Sequence, residues 1–524
     1  MILDGRSVGN DELLETDVCI IGGGAAGITL ARELSGRQFR VSLLESGGFE
    51  YDSDTESLSK GDFSEFVGDD YFGRLRFFGG STNHWEGRCR PLEESDFEQR
   101  DWVPYSGWPF ARSHLDPYYL RAMKICSLAS NDFGPGIIEN ATGAPPLRLD
   151  NEVVQPMAYQ YSKATRFGAV YRQELENSGN VTVLLNSNVT GFDTSESAGV
   201  VNHVLVKNID GKGYRVSAKY FVLACGGIEN ARLLLMPTPH RPNGLGNEHD
   251  LVGRFFMEHP GMLSAIWLPS EPDTDLRYYS EHHDTTDQGI SSMGWMALSR
   301  QAATREKIAN YNVWPYKGKG WHYLDGEASM DRIIDDLKGF DLPDNFGDHL
   351  RNVARDFDYI VDRTLFRLRR KFQDDLQPPE YIGLITSTEV APNPDSRVVL
   401  TEDRDMLGQN RVRLELRFSD LDWRTVQRGT EVVGAELARA GLGRVKLVGK
   451  PKFLKSGRGH HMGTTRMHVD PKAGVVDPDC RVHATSNLYI AGSSVFPTSG
   501  AGVPTLTIVA LAVRLAEHIT DLMG

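Results

Sequence analysis

Three histidines lie close together near the carboxyl end of the chain, at His460, His461 and His468. A neutral imidazole can take up a proton near neutral pH, because the pKa of an unperturbed histidine is about 6.5. A metal site is the alternative use, but adjacent histidines point apart on a helix or a strand, and no cysteine or carboxylate completes a ligand set. The sequence therefore favours a proton acceptor here and predicts no metal site.

Near the amino end, three glycines have the spacing of a turn that holds a dinucleotide. The apolar run 17–21 predicts a buried parallel strand, and residues 28–34 continue with a helical pattern. Gly22 permits the tight turn, Gly24 lets the backbone approach a pyrophosphate, and Gly27 lets the helix pack closely on the strand. The helix N-terminus would then offer free N–H groups to the phosphates.

An acidic residue stands where such a site binds a ribose hydroxyl. Residues 40–44 predict a second strand, which ends at Glu45, about 20 positions beyond the glycines. Strand, glycines, helix, strand and acid in this order predict dinucleotide binding, and a glycine-rich turn without a nucleotide is the alternative. These residues alone leave FAD and NAD open.

Four further segments span the chain together with the glycine turn. They are Phe-Phe-Gly-Gly-Ser-Thr-Asn-His-Trp at 77–85, the strand-to-glycine stretch at 220–232, His-His-Met-Gly-Thr-Thr-Arg-Met at 460–467, and the stretch from 487 to 507. In this order they resemble the glucose–methanol–choline oxidoreductase family. The first segment is similar to pyranose oxidases, C-glycoside 3-oxidases and sugar dehydrogenases within the family. The resemblance implies that the dinucleotide is FAD.

The resemblance also assigns roles to individual residues. His460, seven residues before Met467, matches the family's catalytic histidine, and a residue at the position of Val189 meets the adenine through its backbone. Together with the glycine turn and Glu45, the residues implied to hold the cofactor are Gly22, Gly24, Gly27, Gly80, Ser81, Asn83, His84, Val189, Gly492, Pro504 and Thr505.

One of these residues, His84, falls where pyranose oxidases attach a histidine covalently to the flavin. An unlinked histidine packed against the flavin ring is the equal alternative, because a motif is only a hypothesis until its structural context is seen.

The chain departs from the family at Val503, immediately before the Pro-Thr pair at 504–505. Relatives place Asn or His there, against the substrate oxygen, and valine neither donates nor accepts a hydrogen bond. Three alternatives follow: another side chain supplies the contact, His460 works alone, or the reaction is not alcohol oxidation.

The fold class implied by the resemblance is α/β, with a Rossmann-like FAD-binding domain and an inserted α+β substrate domain on a mostly antiparallel sheet. The FAD-binding domain is assigned to residues 12–110, 180–262 and 455–524, and the substrate domain with its connecting segments to residues 111–179 and 263–454. Residues 181–185 and 187–189 predict strands beside the nucleotide.

Three stretches in the substrate region carry periodic patterns. Apolar residues at spacings of three and four predict one helix over 345–372, whose basic run 367–371 is typical of a solvated helix end rather than an anion site. Alternating residues at 397–401 and 411–417 predict two strands, which we expect in the sheet of the substrate domain. The aromatic stretch 311–323 predicts either a core-packing loop or a lid over a sugar.

Composition and charge limit the partners. The chain has 524 residues and a net charge of −14, which argues against nucleic acid because phosphate binding needs a basic face. Five cysteines without a C-x-x-C pair predict reduced thiols, and the polar residues 1–16 do not resemble a signal peptide, so we expect a cytoplasmic protein. The apolar stretch 505–516 is too short to span a bilayer, so no membrane partner is expected.

The sequence thus predicts an FAD-dependent oxidoreductase that removes a hydride from the CH–OH group of an alcohol, such as a sugar, a glycoside or a hydroxylated natural product. Oxygen or an undefined acceptor would take the electrons. One alternative is a lyase that retains FAD without redox chemistry, as hydroxynitrile lyases of the family do. A flavin-binding protein without turnover is the third reading, which the retention of His460 disfavours.

Overall fold

The computed structural model describes most of the chain and arranges its strands in four sheets. The residues described are 1–63, 73–162, 165–271, 274–280, 289, 291–317, 325–338, 342–357, 360–361, 381–454 and 459–524. Two of the sheets are large, one parallel and one antiparallel, and the site lies where they meet.

The parallel sheet has six strands. In spatial order they are Ile2–Asp4, Val181–Leu185, Val41–Leu44, Val18–Ile21, Tyr220–Leu223 and Leu488–Ile490. Val18–Ile21 is buried along its whole length, as is typical of a strand inside a parallel sheet. The strands expected at 17–21, 40–44 and 181–185 are confirmed.

Two helices pack on each other beside this sheet. Ala25–Glu33 follows the first glycine turn, and Thr505–Met523 closes the chain and packs against it. The closing helix buries Leu506, Val509 and Val513, whose spacing of three and four gives one apolar face. The packing brings the amino-terminal glycine turn and the carboxyl-terminal segment to the same place.

A four-stranded sheet flanks the nucleotide region. In spatial order its strands are Leu13–Glu15, Gly213–Ser217, Val201–Lys207 and Asn188–Thr194. Asn188–Thr194 follows directly on Val181–Leu185 and alternates between more and less buried residues, as expected of a strand with one face on a core. The strand predicted around 187–189 is therefore present.

The antiparallel sheet has seven strands. In spatial order they are Gly443–Phe453, Gly261–Pro269, Ile382–Thr388, Tyr311–Tyr316, Ser291–Leu298, Val154–Tyr161 and Arg88–Cys89. The helix Asp420–Arg439 packs on this sheet, and Val433 and Leu437 share a buried cluster with Trp267 and Tyr311. The expected α/β fold class with a mostly antiparallel second sheet is confirmed.

The strands predicted at 397–401 and 411–417 exist, but the expectation that they join the substrate sheet is wrong. Arg397–Arg404 pairs with Asn410–Glu415, which pairs in turn with Asp62–Phe63, and the three form a separate sheet. The reason is the direction of their apolar faces, because Val398, Val412 and Leu414 are buried in the core of the nucleotide region.

The single helix predicted over 345–372 is interrupted. Phe346–Arg355 is helical and ends at Asp356, and residues 357, 360 and 361 are helical again. The Asp356 carboxylate is fully buried and accepts a hydrogen bond from the backbone N–H of Gly326 at 2.8 Å, a tertiary contact that the periodicity does not reveal. The basic run 367–371 lies outside the described residues.

The aromatic stretch at 311–323 is partly a strand, so the expectation of a loop or lid is wrong for its first half. Tyr311–Tyr316 lies inside the antiparallel sheet, between Ile382–Thr388 and Ser291–Leu298. Residues 318–324 lie outside the described part of the chain.

The described residues form further α-helices of 4 to 14 residues. They are Ser53–Ser57, Glu94–Phe97, Asp116–Ile125, Gly136–Thr142, Phe167–Val170, Arg172–Glu176, Gly226–Leu235, Arg300–Glu306 and Asp325–Lys338. Among the described residues, no helix has both the length and the apolar character needed to cross a membrane.

Candidate active site

The first glycine turn has the stereochemistry that its sequence predicts. Gly22 has a φ of +107°, and at Gly27 a Cβ would lie 1.9 Å from the carbonyl oxygen of Gly22. The helix can therefore approach the turn only because residue 27 has no side chain. A Cβ at Gly24 would meet nothing within 4 Å, so the N-terminus of Ala25–Glu33 faces open space that an anionic group can enter.

Glu45 links the second strand of the motif to the glycine turn. Its Oε2 accepts the Gly23 N–H at 2.7 Å, and its Oε1 accepts the Gly47 N–H at 3.0 Å. Burial raises the pKa of Glu45, and these two hydrogen bonds work in the opposite direction. Each carboxylate oxygen has a second lone pair, so Glu45 can hold the turn and still accept a ribose hydroxyl.

A cavity of about 580 Å³ extends from the glycine turn to the antiparallel sheet. This volume is in the range of small-molecule and cofactor sites, about 300–1,000 Å³. The predicted residues that line it are Gly22, Gly24, Glu45, Gly80, Ser81, His84, Val189, His460, Gly492, Pro504 and Thr505. Gly27 and Asn83 do not line the cavity. Gly27 allows the helix to pack against the glycine turn, and the Asn83 side chain donates to the carbonyl of Phe78 at 3.0 Å.

Charged residues that sequence reasoning missed also line this cavity. Arg74 and Arg76 contact the two oxygens of Glu229 at 3.1 and 2.7 Å, and Arg232 contacts Asp405 at 2.7 Å. Burial alone would raise the pKa of Glu229, but the guanidinium groups outweigh it and lower this pKa to about 2. Arg74 and Glu229 are 155 positions apart, so no local pattern in the sequence predicts their ion pair.

The cavity fits FAD on these structural grounds. The open space at Gly24 meets a helix N-terminus, which suits a diphosphate, and the Glu45 carboxylate is in place for a hydroxyl. The same cavity reaches His460 and the aromatic residues of the antiparallel sheet, which leaves room for a substrate beside the flavin ring.

His460 is held through its backbone by a buried carboxylate. Glu258 Oε1 accepts the His460 N–H at 2.9 Å, and Oε2 accepts the Gly459 N–H at 3.1 Å. Burial lowers the pKa of His460 well below its ordinary value, and the neighbouring His259, Arg88 and His461 lower it further. His460 is therefore neutral at neutral pH and able to accept a proton.

His259 contacts the ring of His460 and was missed in the sequence analysis. The two Nδ1 atoms lie 3.3 Å apart, and His259 Nε2 lies 2.8 Å from the carbonyl oxygen of Gly500. Burial also lowers the pKa of His259. The only signal in the sequence is the Glu-His-Pro run at 258–260, which carries no periodicity or spacing that points to His460.

The other two histidines of the cluster do not join His460 in a ligand set. His461 Nε2 lies 3.7 Å from Glu258 Oε2, beyond hydrogen-bond distance, and burial with the charge of Arg74 lowers its pKa to about 3. His468 accepts the N–H of Asp470 with its Nδ1 and is half-buried. Within the described ranges, no group of three or more potential ligands could hold a metal ion.

His84 is exposed toward the cavity at the end of the short turn Gly80–Asn83. The turn is fixed on both sides, because Gly79 has a φ of +104° and Arg166 donates to the carbonyl of Trp85 at 2.6 Å. The His84 imidazole is thus presented to a ligand from an ordered segment.

Val503 belongs to a small apolar cluster on the wall of the cavity. Its partners there are Met157, Tyr159, Tyr161, Met293, Trp295 and Ala297. The side chain is 8% exposed, so residue 503 is part of a packed wall. The guanidinium of Arg88 lies 5.3 Å from the centre of the Trp295 ring and is paired with Glu86 at 2.7 Å.

Comparison with known families agrees with the geometry of the two halves of the site. Residues 17–244 match the family described as FAD dependent oxidoreductase, and residues 392–512 match the family described as GMC oxidoreductase. The first match contains the glycine turn, and the second contains His460 and the stretch from 487 to 507, the closing segment.

Individual proteins are similar to this chain over different lengths. The large subunit of fructose dehydrogenase from Gluconobacter japonicus is 23% identical, over 98% of this chain and 99% of the relative. C-glycoside 3-oxidase from Microbacterium trichothecenolyticum is 35% identical, over 28% of this chain and 29% of the relative. The crystal structure of pyridoxine 4-oxidase from Mesorbium loti has a TM-score of 0.57 at 17% identity and covers 97% of this chain and 99% of that chain.

Fold and site together define an FAD-dependent oxidoreductase that acts on CH–OH groups. The chain belongs to the glucose–methanol–choline oxidoreductase family. The expected cofactor and reaction class are confirmed, and the named relatives, a dehydrogenase and oxidases, give no support to the lyase alternative.

Proposed function

We propose that the enzyme oxidises a hydroxyl-bearing carbon of a sugar or glycoside, with His460 as the proton acceptor. The observation that carries this proposal is the neutral, buried His460 ring on the same cavity wall as the residues that would hold FAD. Bound FAD supplies the acceptor for the hydride. The protein has to orient the alcohol and remove its hydroxyl proton.

The proton of the substrate hydroxyl would pass to the Nε2 atom of His460. Glu258 fixes the backbone of Gly459 and His460, and the His460 ring itself contacts His259. A general base in such a position accelerates its reaction by about 10²–10⁴-fold. As the hydroxyl loses its proton, the carbon–oxygen double bond forms and the carbinol hydrogen leaves as hydride.

A sugar or glycoside substrate is supported by the aromatic wall opposite the glycine turn. Trp295 and Trp314 stack with ring centres 6.0 Å apart and planes inclined by 26°, and both line the cavity. Aromatic faces pack well against the apolar faces of sugar rings. Fructose dehydrogenase and C-glycoside 3-oxidase, the relatives named above, are called after sugar and glycoside substrates.

The proposed cofactor residues are those of the glycine turn with Glu45, the 80–84 turn, Val189 and the closing segment. Here His84 faces the cavity, so a covalent link to the flavin is open to it, and Asn83 would act by holding its turn. The proposed FAD-binding domain is 12–110, 180–262 and 455–524, and five of the six strands of the parallel sheet fall within it. Residues 111–179 and 263–454 would carry the substrate side.

We also propose an electron acceptor and a cellular location for the enzyme. Oxygen is one candidate acceptor and a second redox partner is the other, as both oxidase and dehydrogenase relatives exist. A cytoplasmic location is supported by the five cysteines, all of which are free thiols. The net charge of −14 supports the absence of a nucleic-acid partner.

Anaerobic mixing with a panel of sugars and glycosides tests the proposed function. At least one should bleach the flavin, and subsequent exposure to air or to an artificial acceptor should restore the colour and identify the oxidant. Bleaching by simple alcohols with no response to any sugar or glycoside would contradict the substrate class.

A further inference from the structure

The hydrogen bonds of His259 fix which of its nitrogens carries the proton. Its Nε2 lies 2.8 Å from the carbonyl oxygen of Gly500. A carbonyl oxygen can only accept, so Nε2 carries the hydrogen and donates it. In a neutral imidazole the other nitrogen is then an acceptor, which leaves the lone pair of His259 Nδ1 directed at its neighbour.

That neighbour is the ring of His460. The two Nδ1 atoms are 3.3 Å apart, within hydrogen-bond distance, and one of them must donate. Because His259 Nδ1 accepts, His460 Nδ1 carries the hydrogen. His460 Nε2 is therefore left with a free lone pair, which is what a proton acceptor requires.

Both rings have surroundings that keep them neutral. Burial lowers the pKa of His259 and of His460, and the nearby charge of Arg88 lowers that of His460 further. The backbone hydrogen bonds to Gly500 and Ser499 and the charge of Glu389 act in the opposite direction on the pKa of His259, but burial is the largest effect, and the Glu389 carboxylate is paired with Arg100 at 2.6 Å. His461, the remaining titratable neighbour, lowers the pKa of His460.

We propose that His259 is a positioning residue. It hydrogen-bonds the Gly500 carbonyl on one side and His460 on the other, and so holds His460 in the tautomer whose Nε2 accepts the substrate proton. This inference rests on the proposed function.

The same series of hydrogen bonds stabilises His460 after it has taken up the substrate proton. When the substrate hydroxyl gives its proton to His460 Nε2, the ring becomes an imidazolium, and its Nδ1–H donates a charge-assisted hydrogen bond to His259 Nδ1. His259 keeps its own proton on Nε2 and stays neutral. One proton leaves the hydroxyl and one is gained by His460, so nothing else has to be supplied.

Two conservative variants separate this role from a merely structural one. In His259→Asn the side-chain amide occupies the place of Nδ1, so its oxygen can accept from His460, while the bond to Gly500 is lost. In His259→Gln the amide reaches the place of Nε2, so the bond to Gly500 is kept and the acceptor for His460 is lost.

We expect anaerobic flavin reduction by the best sugar to fall roughly 10–100-fold in His259→Gln and by much less in His259→Asn, the scale usual for partners that orient a reacting histidine. The reverse order would overturn the proposal, because it would mean that the Gly500 contact is the one that matters. FAD content and the visible spectrum, measured for both variants, show that the site has formed.

Histidine-labelled holoenzyme gives a readout that needs no substrate. Solid-state ¹⁵N NMR, assigned by subtraction of the His460→Gln spectrum, should show His460 protonated at Nδ1 and free at Nε2. His259→Gln should shift this toward a mixture of tautomers. A free Nδ1 in the native protein would overturn the proposal, whereas the expected tautomer in a protein that oxidises no sugar would count against the proposed substrate class alone.

Discussion

Glu258 accepts the backbone N–H of His460 at 2.9 Å, although the two residues are 202 positions apart. The same carboxylate oxygen accepts the N–H of His259 at 3.0 Å. One buried carboxylate thus holds the backbones of two imidazoles whose rings contact each other. Glu258 sets the backbone position of the proposed base His460, and His259 sets which nitrogen of the His460 ring is protonated.

Glu258→Gln should weaken the backbone hydrogen bonds that position His460 while both imidazole rings, His259 and His460, remain. The glutamine amide has one acceptor oxygen instead of two, so a buried N–H of the 459–460 segment loses its partner, which costs about 1–3 kcal/mol. We expect a lower free energy of unfolding in urea and slower flavin reduction. Glu12→Gln, at a surface carboxylate far along the chain, is the control and should change neither. Unchanged reduction in Glu258→Gln would show that the backbone contact does not position His460.

The pH dependence of flavin reduction should reflect the buried state of His460. The pKa of His460 is lowered well below its ordinary value of 6.5, and a base acts only when unprotonated. The rate should therefore be flat around neutral pH and fall only as the pH drops through this lowered pKa, below 6.5. Stopped-flow reduction across the pH range checks this, and an acid limb centred above 6.5 would contradict it.

The polarity of residue 503 should matter more than its size. Val503 packs among aromatic and apolar side chains, so Val503→Asn would bury an amide without a partner at a cost of about 1–3 kcal/mol. We expect a lower kcat/KM with the best sugar for Val503→Asn and a smaller change for Val503→Leu, which keeps the apolar character. A rise in kcat/KM for Val503→Asn would show that the site lacks a polar contact to substrate.

A covalent bond between His84 and the flavin is testable by colour alone. The His84 side chain is exposed to the cavity from an ordered turn, so we expect native protein precipitated in acid to keep its yellow colour in the pellet. His84→Ala should release the colour to the supernatant. A colourless pellet from native protein would leave His84 only a packing role against the flavin.

The elements that the sequence predicted are those fixed by local patterns. The strand, the glycine turn and the helix around Gly22 follow from apolar runs and from the space that only glycine leaves. Alternation at 397–401 shows that one face is buried, but not which core buries it, and so the sheet was assigned wrongly. The break at Asp356 and the contact of His259 with His460 depend on residues 30 and 201 positions away, which no local pattern records.

The proposed removal of the substrate proton by His460 is tested by the rate of anaerobic flavin reduction in His460→Ala, measured beside His468→Ala. His468 lies in the same segment but bonds to the backbone of Asp470, so its loss should leave the rate near that of the native enzyme. His460→Ala should retain FAD and reduce it roughly 10²–10⁴-fold more slowly, the usual cost of losing a positioned general base. Native-like reduction in His460→Ala, with FAD bound, would contradict the account.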